Sequence, residues 1–400
     1  MINRTTILKP PARREGRQLA AGIVWLAMLL TTIVFALGAR GAEAAVLPED
    51  RVDVLYHRYD GDDITIDGPS VLVRKKIGKN FSLDANYYVD TISSASIDVR
   101  VAASRYEEER TQYSVGATYL HNKTIMNAGF VKSDENDFEA ETWFVGISQD
   151  MFGDLTTVSM SYARGNDIIR ATGSPDFEET ADRQSYSVGL TQVLTRSLIA
   201  AVQFETITDE GWLNNPYRFY RFPNETGDGF LTAQEIYPNT RTSNATAVTA
   251  KYYLPYRAAV HGRYRYYTDT FGIVAHTGEI GYTHPWGNDW IFSLALRHYT
   301  QTQADFYADL FPFQDSQNFL ARDKEMSTFQ NNTVTLGVVR EFDNINFAGL
   351  EKGTVNLFWD FTRYTYDNFR DATVQGVVPG TEPLFEFDAN VARLYVSFWF

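Results

Sequence analysis

Cysteine is absent from this chain of 400 residues, which removes disulfides, thiolate metal sites and thiol nucleophiles together. Such a chain crosses an oxidising compartment without mispairing. Basic residues are in deficit: 36 Lys and Arg stand against 50 Asp and Glu, a formal net charge of −14. An acidic chain is poorly built to hold phosphates, so no nucleic-acid partner is expected. Histidine is sparse. His57, His121, His261, His276, His284 and His298 follow neither a Ser–His–Asp order nor a recurring metal-ligand spacing. Gly-rich nucleotide-cradling loops are missing, so no organic cofactor is expected and the chain reads as a non-enzyme. Long apolar runs are missing beyond residue 37, and a mean hydropathy of −0.29 excludes a bundle of membrane-spanning helices.

What is present begins with an export signal. Arg4, Lys9, Arg13, Arg14 and Arg17 form a positive n-region, Leu19 to Leu37 is uncharged and mostly apolar, and Ala42-Glu43-Ala44 supplies small-x-small cleavage chemistry. Residues 1–44 are therefore expected to be a cleaved signal peptide, with an uncleaved anchor as the alternative. The remaining 45–400 keep 30 basic and 48 acidic residues, a net −18.

From Val52 the chain is a procession of alternating segments: 52–59, 64–77, 81–92, 106–119, 124–133, 139–149, 155–165, 184–193, 198–208, 243–254, 258–268, 274–284, 290–302, 328–340, 353–366 and 391–400. Their oily faces read at period two, as in Phe81, Leu83, Ala85, Tyr87, Val89 or Val355, Leu357, Trp359, Phe361. Each has about the length that crosses a bilayer at a tilt. The last segment carries Leu394, Val396, Phe398 and Phe400 on a face without a polar atom, resembling the closing strand that barrel assembly machinery reads as an assembly signal. Connections alternate too. Segments 93–105, 166–183, 209–242, 303–327 and 367–390 are long, whereas 78–80, 120–123, 151–154, 194–197 and 255–257 are tight; only 341–352 departs. The expectation is an all-β, transmembrane, antiparallel up-and-down barrel of about 16 strands, with long extracellular loops and short periplasmic turns. A soluble sandwich, the alternative, gives no reason to segregate loops by length. The barrel places the chain in the bacterial outer membrane, in contact with its lipid.

The central third holds the most distinctive wording: Gly211-Trp212-Leu213-Asn214-Asn215-Pro216-Tyr217-Arg218, Tyr237-Pro238-Asn239-Thr240-Arg241, Tyr252-Tyr253-Leu254-Pro255-Tyr256-Arg257, and Tyr264-Arg265-Tyr266-Tyr267-Thr268-Asp269-Thr270-Phe271-Gly272-Ile273. With Asp90-x-x-Ser93-Ser94-Ala95-Ser96 and Tyr366-Asp367-Asn368-Phe369-Arg370, it resembles a family of bacterial outer-membrane barrels defined only as a domain of unknown function. The resemblance implies fold and location and lends no substrate or catalytic residue. The stretch 224–235 lies outside it.

Three sets of residues carry chemistry. Parity sends His261, Arg263 and Arg265 of 258–268, Glu279 of 274–284 and Arg297 of 290–302 into the lumen, where guanidinium forks hold a carboxylate bidentately. Such a cluster is an ionic ladder that replaces a core and ties down a plug, a basic ring that selects an anion, or a catalytic group. Residues 224–235 match a calcium loop in part, with ligands expected from Asn224, Thr226, Asp228, the carbonyl of Phe230 and Glu235; a plain Gly-rich turn is the alternative. Connections 209–242 and 303–327 are too aromatic for water (Trp212, Tyr217, Phe219, Tyr220, Phe222; Phe306, Tyr307, Phe311, Phe313) and are expected to fold inward as plug or constriction. The functional expectation is a loop-constricted channel for a small solute. The alternatives are a sleeve or scaffold for a periplasmic or surface partner, and a barrel-embedded enzyme.

Overall fold

The computed structural model describes residues 45–93, 107–343 and 350–400. The expected signal peptide, most of the 93–105 loop and half of the 341–352 connection lie outside the described residues. Strands run in chain order as β1 (Arg51–Gly61), β2 (Ile64–Ile77), β3 (Phe81–Ser93), β4 (Glu107–His121), β5 (Thr124–Asp134), β6 (Phe138–Met151), β7 (Thr156–Ala171), β8 (Ser174–Thr195), β9 (Leu198–Gly211), β10 (Phe219–Pro223), β11 (Phe230–Gln234), β12 (Thr240–Tyr253), β13 (Ala259–Asp269), β14 (Val274–Trp286), β15 (Trp290–Gln301), β16 (Phe329–Asp343), β17 (Lys352–Arg370) and β18 (Leu384–Trp399). β9 pairs with β12 across β10 and β11, the other barrel strands pair with their sequence neighbours, and β18 returns to β1, closing an antiparallel barrel of sixteen strands. Closure matters because a lipid-facing sheet edge would leave backbone groups unpaired where no water can reach them.

Alternation sets the register. On β13, Tyr264 and Tyr266 are exposed on the outer wall while Arg263 and Arg265, alternating with them, are half-buried inside. The same rule exposes Val54 and Tyr56, Val71 and Val73, Val115, Val145, Val202 and Phe204, Ile280, and Leu394. A continuous outer belt of this chemistry is stable only against hydrocarbon, so the barrel is of the membrane-spanning kind. Tyr252, Tyr253, Trp286 and Trp290, at the rim of the short turns, are exposed as an interfacial girdle would be. The β1–β2 connection is a two-residue turn with Asp62 and Asp63 at φ 52 and 58, the left-handed pair that matches strand twist.

One expected loop is not a loop. Residues 166–183 continue the ladder, with Asn166 opposite Asp182 and Ile169 opposite Glu179, and the chain reverses at 172–173 where Gly173 has φ +90. The sequence hid this because a hairpin standing above the bilayer needs no apolar face. The last strand likewise starts at Leu384, earlier than residue 391.

The apolar core sits at the mouth rather than in the barrel. Segments 212–239, 302–328 and 371–383 converge there, β10 pairs with β11 in a hairpin of their own, and bridges join Ile236 to Leu320 and Tyr307 to Ala321. Tyr237, Phe271, Ile273, Ala304, Phe306, Tyr307, Ala321 and Met326 form one buried cluster; Tyr220, Phe222, Phe311 and Leu320 form another. Each such aromatic contributes roughly 1.5–3 kcal/mol when withdrawn from water, enough to hold the segments as a folded cap.

Candidate functional site

The cap is pinned by buried arginines. Arg221, on β10, reaches Glu382 of segment 371–383 with both terminal nitrogens (Nη1–Oε1 2.5 Å, Nη2–Oε2 3.1 Å) and Asp309 of segment 302–328 (Nη2–Oδ2 2.6 Å). Arg322 grips the other side of Asp309 (Nη2–Oδ1 3.1 Å) and donates to the Arg370 carbonyl (2.8 Å) at the end of β17. Thus one carboxylate bridges two guanidiniums and three connections are locked by four side chains. Burial opposes ionisation of Glu382, yet the Arg221 fork and the Gly380 amide hold its carboxyl below the usual range. Arg218 pairs with Asp323. Beside them Glu235 is fully enclosed, accepting from the Arg322 amide (2.6 Å) and the Tyr237 hydroxyl (2.9 Å). Burial first, and then the Asp323 charge, push Glu235 up to about 8.

The cap reaches around the rim. Lys324 pairs with Asp62 in the β1–β2 turn, Tyr217 donates to Asp137 in the β5–β6 turn and accepts from the Thr172 amide in the β7–β8 turn, and Phe271 and Ile273 between β13 and β14 join its core. Segment 212–239 leaves β9 yet touches the β5–β6 turn, and segment 302–328 leaves β15 yet touches the β1–β2 turn, so both cross part of the opening. Segments 209–242 and 303–327, expected as plug or constriction, are joined in this cap by 371–383, a third participant that was not expected.

The lumenal charge set is placed as parity required. Arg263, Glu279 and Arg297 stand in register across β13, β14 and β15. The close contacts differ from a single four-residue cluster. His261 Nε2 lies 3.2 Å from Glu279 Oε1, Arg265 reaches over the small Ala245 and Ala247 of β12 to Glu205 on β9 (3.4 Å), and Arg297 donates to Thr333 on β16 (3.1 Å). These are bonds from wall to wall. Of the alternatives expected for this set, the tying of inward-folded segments is done by other arginines, Arg218, Arg221 and Arg322, while His261, Arg265 and Arg297 bond within the barrel wall.

The calcium reading is corrected as well. Residues 224–229 are the turn of the β10–β11 hairpin, in which Asn224 Oδ1 accepts from the Gly227 amide (2.7 Å) and Asp228 accepts from Asn224 Nδ2 (2.9 Å) and Thr226. Phe230 begins β11, and Glu235 follows its far end, about 17 Å of extended chain away. Asn224, Thr226, Asp228, Phe230 and Glu235 therefore do not converge. Turn donors satisfy Asp228, and the cap interior consumes Glu235.

A second buried cluster went unnoticed in the sequence. His57 Nε2 lies 2.7 Å from Asp90 Oδ1, and Arg110 Nη2 lies 2.6 Å from Asp90 Oδ2, all inside the wall formed by β1, β3 and β4. Parity alone places each of them inward; their meeting depends on strand stagger. On the closing strand, Leu394 and Val396 of β18 lie opposite Tyr56 and Val54 of β1, and the Phe400 amide reaches the Asp50 carbonyl (3.4 Å).

A closed sixteen-strand barrel with an oily exterior, a polar lumen and a folded cap over part of one mouth defines a membrane-spanning β-barrel. The chain belongs to the family "Protein of unknown function (DUF3570)", which matches residues 102–352. No curated protein matches it in sequence. Solved structures similar in shape include a bacterial polysaccharide outer membrane secretin (7% identity, TM-score 0.48, 88% of this chain and 100% of that one). The siderophore receptor PirA from Acinetobacter baumannii is another (9%, 0.44, 86% of this chain), and this chain spans only 57% of its length. A FadL homologue from Pseudomonas aeruginosa is a third (8%, 0.42, 88% and 90%). Likeness at this level is one of barrel shape and says nothing about cargo.

Proposed function

We propose that the protein is an outer-membrane channel for a small solute, constricted at its extracellular mouth by the three-segment cap, with no catalytic chemistry of its own. The observation that carries this reading is the contrast between lumen and mouth. Many lumen-facing positions on β7, β8, β9 and β12 are small, among them Ser161, Ala163, Ser187, Gly189, Ala201, Ala245 and Ala247. A sixteen-strand wall with so little to fill it leaves an aqueous path, whereas the mouth holds a packed core tied by Arg221, Asp309, Arg322 and Glu382. A wall built to be open and a lid built to be closed fit gated or narrow passage.

Conductance of the purified barrel in a planar bilayer tests it. Wild type should conduct weakly. Arg221→Ala should raise conductance, because it strands Glu382 and Asp309 in a buried site at a cost of about 3–5 kcal/mol. A barrel that stays silent with the cap unlocked, and instead co-purifies with a second protein, is a sleeve and overturns the channel.

A further inference from the structure

Beneath the roof made by residues 212–217 lies a cavity of about 110 Å³ that the cap network does not use. Its wall on the β7 side includes Asp167, 7% exposed, which accepts no hydrogen bond and joins no ion pair among the described residues. The cause is the register: Asp167 stands opposite Ala140 on β6 and Ala181 on β8, two side chains too short to donate anything or to fill the space. The roof springs from Gly211, whose φ of +117 and whose approach to the Thr180 carbonyl leave no room for a Cβ. It is fastened by the Trp212 amide on that same carbonyl (2.9 Å), by Asn214 on the Glu235 carbonyl (3.0 Å) and by the Tyr217 amide on the Asn215 side chain (2.8 Å).

The charges around the cavity do not balance. Each arginine that lines it is already held: Arg183 by Asp209 (2.5 Å), Arg241 by Asp269 (2.5 Å), Arg170 by Glu139 (2.7 Å) and Glu178 (2.9 Å). Asp167 and the half-buried Glu135 join no ion pair among the described residues: burial pushes Asp167 up to about 6 against the pull of Arg183, and Glu135 up to about 7 against that of Arg110. Trp212, Tyr217 and Phe138 line the same space. A buried carboxylate with no hydrogen-bond donor, neighbouring aromatic residues and room for only a few heavy atoms describe the recognition of an alkylammonium group by one salt bridge and by cation–π contact. A cavity of 150 Å³ holds benzene, so this one takes a headgroup of four or five heavy atoms, with any longer tail leaving through the opening.

We propose that this cavity is a binding site for a small primary ammonium ion, with Asp167 as its counter-ion and the 212–217 roof as its aromatic lid. The site does not depend on conduction: an ammonium-binding barrel that passes no current keeps the site and loses the channel.

Calorimetry on the detergent-solubilised full barrel tests it, with ethylammonium chloride as probe and sodium chloride, sodium acetate and glycerol as controls. Ethylammonium should bind saturably and the controls should not. Asp167→Asn, which keeps the volume and removes the charge, should weaken binding by about tenfold or more, and Ala181→Leu, which fills the space, should do the same. Both variants should still migrate as folded, heat-modifiable barrels. Should Asp167→Asn not fold, the wild-type protein decides alone, because ethylammonium must then slow proteolysis within 212–217 where sodium does not. Equal heats for ethylammonium and sodium, unchanged affinity in a folded variant, or no protection of the roof overturns the proposal.

Discussion

Glu235 illustrates how a single buried carboxyl makes the cap sensitive to pH. Its surroundings are the Arg322 amide, the Tyr237 hydroxyl, the Asp323 carboxylate and the Arg218 guanidinium, and the net result is a proton held up to about 8. A carboxyl whose value is raised on folding adds stability that is present below its unfolded range and is lost as pH climbs through the folded value. The cap should therefore weaken from about pH 5 through pH 8, by about 1.4 kcal/mol per pH unit inside that window. Glu382 acts in the opposite direction and elsewhere: its lowered value makes its contribution fall only in acid, below the ordinary carboxylate range. Proteolysis of 212–239, scaled at each pH to an unfolded control, should accelerate from pH 6 to pH 8.5, and Glu235→Gln should flatten the profile. A Gln variant with the wild-type slope would mean that another group sets the response.

At the level of the strand, the two faces of one element make opposite demands. Leu357 on β17 is 52% exposed on the outer wall, in register with Val338 and Leu394. Leu357→Arg puts a guanidinium against hydrocarbon and should cost about 2–4 kcal/mol, measurable as a lower denaturant midpoint for refolding into lipid vesicles. Ser187→Lys on the lumen side of β8 should leave that midpoint nearly unchanged. Similar losses at both positions would contradict the assignment of inside and outside. Strand faces were legible from period two because each face meets one solvent along its whole membrane length. The β7–β8 extension was not, since Asp167, Arg170, Glu178, Glu179 and Asp182 give no alternation where both faces are wet or covered by the cap.

For the whole molecule, wall and lid have separate duties. Arg265 and Arg297 touch other wall residues and Arg263 stands in register with Glu279, whereas the cap rests on Arg218, Arg221 and Arg322. Arg263→Ala combined with Arg265→Ala should shift the reversal potential in a salt gradient toward cations while cap proteolysis stays at the wild-type rate. Faster cap cleavage in that double variant would show that wall and lid are one network. The division also explains why the barrel carries its hydrophobic core at one end: the wall is stabilised by strand pairing and lipid, and the segments above the membrane need a core of their own.

The sequence by itself determined what depends on neighbours in the chain: the alternation of faces, the number of crossings, the alternation of long and tight connections, and the inward parity of His261, Arg263, Arg265, Glu279 and Arg297. Only the tertiary structure decided which charges meet. Arg221 finds Glu382 across 161 residues and Asp309 across 88, and Glu235, adjacent to a calcium-like turn in sequence, faces away from it into the cap. The unpartnered Asp167 is likewise a product of register, because Ala140 and Ala181 come to its sides only when three strands are laid together. Periodicity is a property of one strand against its solvent, whereas an ion pair or an empty space depends on how separate segments align, and a shift of one residue in that alignment would turn every side chain to the other face.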